Sequence, residues 1–361
     1  MSEHPDLTSL LAMAVERQAS DLHIHWGTPP LARVHGEIVP ILEEPLDAEA
    51  CHHLVFSGLT EIQQVRLQED LELDFVLNIP DLGRFRCNAH YARGCVEAAY
   101  RHIRGTVGDL EALGHRPIVT ELCRRKEGLI LVTGHSGMGK TTTMAAMVQW
   151  ISRFRSGVII TIEDPVEYNI APALGIVKQR EVGTDTKSFA SGLRNAARQD
   201  PDVIVIGEMR DPETMQAALT AAETGHLVIG TLHTIDASKT VDRIVNVFPG
   251  DQQNQVVTQL ANCLLAVISQ WLLPRADGQG RVLAVETMII NPGIRACIRD
   301  HKPHMITGQI EIGAQEGMNT LDESLARLCE EGLITHQEAL SHARDPNRIP
   351  KPAPKKKGFF G

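Results

Sequence analysis

Apolar and polar positions change period along the chain. From Leu7, the residues Leu10, Leu11, Ala14 and Val15 recur at three- and four-residue intervals, which predicts a helix. Leu22, Ile24 and Trp26 then alternate with His23 and His25, the two-residue period of a strand. Leu31 to Val39 fits a strand pair turning at His35-Gly36, and residues 73–103 hold further alternating segments around Gly83 and Gly94. Residues 1–104 therefore predict a small mixed α/β domain. Residues 105–117 contain Gly105, Gly108, Gly114 and Pro117 with little periodicity and read as a linker. From Ile118 short apolar runs alternate with helical patterns, as in a largely parallel sheet. After about Asn246 the pattern predicts helices, apart from a short hairpin near Pro274–Glu286. A second domain is thus expected over 118–345. The tail, 346–361, is rich in Pro and Lys and predicts disorder.

Composition narrows the class. A chain of 361 residues is too long for one ordinary core, and 43% hydrophobic with 22% charged residues is a globular mix. No apolar run is long enough to span a membrane, and Glu3, Asp6 and Glu16 rule out a secretory leader, so a cytoplasmic protein is expected. The formal net charge of -10 speaks against gripping a nucleic-acid backbone. Seven cysteines lie scattered without a CxxC pair, which signals neither a zinc site nor a redox motif.

One segment carries explicit chemistry. Gly134-His135-Ser136-Gly137-Met138-Gly139-Lys140-Thr141 matches G-x-x-x-x-G-K-[ST], between an apolar strand (Leu129 to Val132) and a helix that opens at Thr141-Thr142. Glycines let successive backbone N–H groups converge on a β-phosphate, and the helix N-terminus adds its positive end. Lys140 supplies a mobile charge for the β- and γ-oxygens, and Thr141 a hydroxyl for Mg²⁺. The cofactors expected are ATP and Mg²⁺.

Three more apolar runs stop at polar groups. Val158–Ile162 ends in Glu163, Val203–Ile206 in Gly207-Glu208, and Leu227–Leu232 in His233. Ligands of an open parallel sheet sit beyond the carboxyl ends of its strands, so Lys140, Glu163, Glu208 and His233 are expected to share one crevice. Glu208 suits an acid beside Mg²⁺ or its water shell, and Glu163 a group that accepts a proton from, or orients, the attacking water. The sequence does not fix which acid does which. His226 and His233 flank one strand, and either a structural hydrogen bond or contact with the γ-phosphate fits them. Asp211, Pro212 and Gly225 read as the cap, first turn and end of a helix after Glu208.

The segments Ile162-Glu-Asp-Pro-Val-Glu167, Gln199-Asp-Pro-Asp-Val-Ile-Val-Ile-Gly-Glu-Met-Arg-Asp211 and Ala222-Glu-Thr-Gly-His-Leu-Val-Ile-Gly-Thr-Leu-His-Thr234 resemble the Asp box, Walker B and His box of the PilT family, the twitching-motility ATPases that retract type IV pili. Ala19-Ser-Asp-Leu-His-Ile24 resembles that family's N-terminal signature, and the likeness runs from about residue 7 to 345. It implies an α/β protein with a PAS-like N-terminal domain, a RecA-like P-loop ATPase domain with a helical C-terminal region, and a homohexameric ring. It implies Glu163 as catalytic glutamate, Glu208 as the Walker B acid, His226 and His233 as phosphate sensors, and Arg86 and Arg101 among the arginines that stabilise charge. Arg84 and Arg86 alternate with Phe85 and Cys87, which puts both on the polar face of one strand.

Gly293-Ile-Arg-Ala-Cys-Ile-Arg-Asp300 departs from the family's helix motif but keeps Arg295 and Arg299 four residues apart. The four-cysteine insertion of the assembly and secretion relatives is missing after His233, which favours the retraction branch. The expectation is a hexameric Mg-ATP motor for pilus retraction, peripheral at the inner-membrane pilus base through a platform protein and alongside a possible paralogous ATPase. The competing readings are a PilU-like accessory ATPase, a nucleic-acid-remodelling RecA-like ATPase, and a nucleotide-bound regulator that does not hydrolyse.

Overall fold

The computed structural model describes residues 6–34, 36–103, 105 and 107–351, which form two compact units. Among the described residues, the first comprises those up to 105 with Glu167–Asn169, and the second Val107–Val166 with those from Ile170 to 351. The turn residue His35 and the tail beyond 351 lie outside the described residues.

The first unit runs α1 (Leu7–Glu16), β1 (Asp21–Ile24), β2 (Leu31–Val34), β3 (Glu37–Pro40), α2 (Ala48–Ser57), α3 (Glu61–Asp70), β4 (Glu72–Ile79), β5 (Gly83–Ala92) and β6 (Cys95–Ile103). Its sheet has the order β3-β2-β1-β6-β5-β4, with every neighbouring pair antiparallel. Strand alternation sorts the residues. Leu22, Ile24, Phe85, Cys87 and Tyr100 face a core closed by Leu10 and Leu11 of α1 and Leu54 and Val55 of α2. On the other face Arg86, Arg101, Asp21 and Arg33 follow one another across β5, β6, β1 and β2. Arg101 Nε donates to Asp21 Oδ1 at 2.8 Å. Burial pushes the Asp21 carboxyl up, but the Ser20 hydroxyl and Arg101 outweigh it and hold the pKa below the usual range.

The second unit opens with α4 (Ile118–Cys123), β7 (Gly128–Thr133), α5 (Lys140–Phe154), β8 (Val158–Glu163), β9 (Ile176–Glu181), α6 (Phe189–Ala196), β10 (Val203–Ile206), α7 (Pro212–Glu223) and β11 (Leu227–Leu232). It continues with α8 (Ala237–Val247), α9 (Gly250–Cys263), β12 (Leu264–Pro274), β13 (Arg281–Ile289), α10 (Pro292–Arg299), α11 (Ile306–Ile312), α12 (Leu321–Glu330) and α13 (His336–His342). The sheet order is β13-β12-β7-β11-β10-β8-β9, parallel except for β13. Every residue of β7, β10 and β11 is buried, which is why those strands read as unbroken apolar runs. Asp211 caps α7 by accepting from Thr214 N at 2.8 Å, with Pro212 in the first turn.

Two expectations need correction. The hairpin near Pro274–Glu286 is not short: β12 has 11 residues and β13 has 9, and β12 pairs with β7 inside the main sheet. An apolar run such as Leu264–Leu273 satisfies a buried helix and a buried strand equally well, so periodicity cannot separate them. The stretch expected to be disordered from 346 begins as a 3-10 turn, Pro346–Arg348, and Ile349 is buried against Leu273, Leu325 and Leu328. One apolar side chain with a place in a core outweighs the local Pro and Lys content.

Candidate nucleotide site

The phosphate loop leaves the carboxyl end of β7, an interior strand between β12 and β11, and enters α5. Its turns use left-handed backbone at Gly137 (φ 78°) and Gly139 (φ 81°), where a β-carbon is strained. Lys140 Nζ donates to the carbonyl oxygens of Gly134 and His135 at 2.8 and 2.9 Å, so the ammonium sits over the loop. The long hairpin fixes the loop from the side. Arg281 Nη1 of β13 donates to Gly137 O at 3.1 Å, and the Leu272 N–H of β12 donates to Met138 Sδ at 3.2 Å.

Beneath the loop, Thr143 Oγ1 of α5 accepts from Gln270 Nε2 at 2.8 Å and lies 2.9 Å from His115 Nε2. His115 is buried, and burial pushes its pKa down to about 4, so the ring is neutral. Its Nδ1 has no partner among the described residues. His115 also lines a cavity of about 320 Å³ with Leu283, Val285, Met318 and Asn319.

The acids stand where the strands end. Glu163, the last residue of β8, is 9% exposed and its Oε1 accepts from Thr161 Oγ1 at 2.5 Å and Gln179 Nε2 at 3.1 Å. Glu208 follows β10 by two residues and is bonded to Arg210 Nε, with His233 Nε2 at 2.8 Å from its Oε1. Burial pushes the Glu208 carboxyl up, while Arg210 and His233 outweigh it and hold it below the usual carboxylate range. Because β8, β10 and β11 run parallel to β7, the loop, Glu163, Glu208 and His233 all lie at one end of the sheet.

His226 is not among them. It precedes β11, and its carbonyl accepts from Gly128 N at the start of β7, the opposite end of the sheet. The six residues of β11 separate it from His233, roughly 20 Å. Its Nδ1 lies 3.0 Å from Ala221 O at the end of α7, a structural bond. The histidine pair expected at the phosphates is therefore one histidine at the site and one at the opposite end of the same sheet. Arg86 and Arg101 belong to the first unit, where they are directly opposed on β5 and β6. Arg281, Gln270 and His115 carry no local sequence signal as site neighbours. Arg210 alone carried a local signal, being two residues from Glu208.

A seven-stranded, mostly parallel sheet with a phosphate loop at an interior strand and acids at the same ends of two further parallel strands defines a RecA-like P-loop nucleotide-binding protein. The type II/IV secretion system protein family matches residues 3–312, and the chain belongs to that family, in its PilT group. It is 43% identical over 344 residues to the type IV pilus retractation ATPase PilT of Pseudomonas aeruginosa, spanning 95% of this chain and 100% of the relative. Type IV pilus ATPase PilU of the same organism is 38% identical over 344 residues, 95% of this chain and 90% of the relative. The crystal structure of the pilus retraction motor PilT with bound ADP superposes with a TM-score of 0.90 at 43% identity, covering 96% of this chain and 99% of that one. Among the described residues no helix is long and apolar enough to cross a membrane.

Proposed function

We propose that this protein is a Mg-ATP-hydrolysing motor that works as a homohexameric ring at the cytoplasmic base of the type IV pilus and drives pilus retraction. The observation that carries the reading is the gathering of Lys140, Glu163, Glu208 and His233 at one end of the sheet, in a chain alike from end to end to a retraction ATPase.

Each residue then has a job. The Gly134–Thr141 amides and Lys140 bind the β- and γ-phosphates. Thr142 lies beside them on the first turn of α5. Glu163, oriented by Thr161 and Gln179, holds the attacking water in line and takes up its proton. Arg210 keeps Glu208 ionised and, with His233, aims it. Arg86 and Arg101, from a neighbouring subunit, neutralise the charge that develops on the transferred phosphoryl group.

Among the described residues no cluster of three His, Cys, Asp or Glu side chains could cage a metal alone. The oxygen donors Thr141 and Glu208 do fit Mg²⁺, which keeps several waters and takes its other ligands from phosphates. Thr141 and Glu208 would hold it, and when bound it neutralises phosphate charge. Ring closure makes each site depend on its neighbour, so hydrolysis can move one subunit against the next. A membrane platform protein passes that motion to the pilus, and the acidic net charge speaks against nucleic acid as the load.

The test is pilus retraction in cells whose sole retraction ATPase is this chain, beside the same cells carrying Glu208→Ala. Retraction with the parent and none with the variant supports the reading. ATP turnover without retraction unless a second ATPase is present would make this the accessory, PilU-like motor. Turnover that rises with added DNA or RNA would replace the motor reading.

A further inference from the structure

A buried polar knot lies behind the loop that carries His233. Glu286, in the middle of β13, is 1% exposed and has two partners: the Ala237 N–H that opens α8, at 3.0 Å from Oε1, and Arg344 Nη1, at 2.6 Å from Oε2. Arg344 Nη2 also lies 3.9 Å from Asp236, the side chain that caps α8. The turn that presents Arg344 is itself tied down. Asp322 accepts the Arg344 N–H at 2.8 Å and the Asp345 N–H at 2.9 Å. Glu286 is directly opposite Ser269, whose hydroxyl accepts from Thr133, the last residue before the phosphate loop. Only Thr234, Ile235 and Asp236 separate His233 from the first residue of α8. Thr234 bonds back to Thr240 Oγ1 at 2.6 Å, so this short connection is fixed to the helix it precedes.

We propose that Arg344 is a positioning residue for the nucleotide site, clamping the first turn of α8 through Glu286 and so holding His233 against Glu208. The inference rests on the reading of Glu208 and His233 as part of that site. A buried carboxylate with one amide partner is unstable where it stands. Without Arg344, Glu286 is left with the Ala237 amide as its one partner, so the destabilised charge bears on the start of α8, and any shift of that turn carries His233 with it. The C-terminal segment thereby sets the geometry of an acid more than a hundred residues earlier in the chain.

A double-mutant cycle on the intact protein tests this, with ATP turnover measured for Arg344→Met, Arg344→Lys, His233→Ala and Arg344→Met/His233→Ala, and assembly checked in each. The expected result is a roughly tenfold lower kcat for Arg344→Met with KM within about twofold, since the phosphate loop is untouched. Arg344→Lys should recover most of the rate. The double variant should be no slower than His233→Ala alone, because the clamp has then lost what it acts on. Losses that multiply in the double variant, a parental kcat in Arg344→Met, or a parental rate in His233→Ala overturn the proposal. If Arg344→Met does not assemble, Arg344→Lys with and without His233→Ala gives the same cycle, and multiplying losses again overturn it. Lys140→Ala serves as the separate control: turnover unaffected by that change would defeat the nucleotide-site reading itself, whatever Arg344 does.

Discussion

His115 offers a direct measure of what burial beneath the phosphate loop costs. Its pKa falls from an ordinary 6.5 to about 4 because the ring is desolvated. The sign follows from proton counting. Between those two values the unfolded chain binds a proton that the folded chain refuses, so stability rises with pH across the window and is lost on acidification. Between pH 7 and pH 5 this single group removes about 2 kcal/mol, which for a unit of this size is a drop of roughly 4–8 °C in midpoint. His115→Gln keeps a polar group near Thr143 but cannot titrate. The assay is denaturant unfolding of parent and variant at both pH values, followed by the fluorescence of Trp150 and Trp271 in the second unit. Other groups contribute to the parent's slope, so the informative quantity is the difference between the two proteins. The variant should lose about 2 kcal/mol less than the parent on going to pH 5. An identical loss in both would show that His115 is not held neutral by burial, and the account of the Thr143 contact would fail.

Lys140→Ala should abolish ATP turnover, since no other described cation donates to the Gly134 and His135 carbonyls; phosphate release at the parental rate would refute the loop assignment. His226→Ala and His233→Ala should part company. The first should keep nucleotide affinity, because His226 is bonded to Ala221 at the far end of the sheet, while the second should lower kcat; equal effects would contradict the geometry. Arg101→Ala should reduce turnover by a factor on the order of 10³ or more if it serves a neighbour's nucleotide. Mixing it with Lys140→Ala should then restore some activity through hybrid rings, and no recovery at any ratio would place the arginine elsewhere.

The legible parts of this molecule were those that depend on local chemistry. The phosphate loop is a run of contiguous residues whose backbone must curl, so glycines and Lys140 announce it. The buried parallel strands announce themselves because both faces are covered, and Asp211-Pro212 announces a helix start for the same local reason. What failed to show depends on pairing. The β12 run has no period to mark it as strand, and its identity comes from lying beside β7. His226 and His233 look equivalent in sequence, but six strand residues place them at opposite ends of β11. Gln270, Arg281 and His115 meet the loop only through tertiary folding, and no spacing rule reaches from residue 115 to residue 270.

The contact between Met138 and Leu272 makes the loop a place where peroxide can act. A thioether sulfur is a weak acceptor, and here it takes a backbone N–H from the neighbouring hairpin. Oxidation to the sulfoxide adds a polar oxygen at that atom and forces the hairpin or the loop to yield. Cys51, Cys87, Cys123, Cys263 and Cys297 are all buried, so oxidant damage to nucleotide handling would register at this methionine before it reached those thiols, and methionine sulfoxide reductase would be the activity that reverses it.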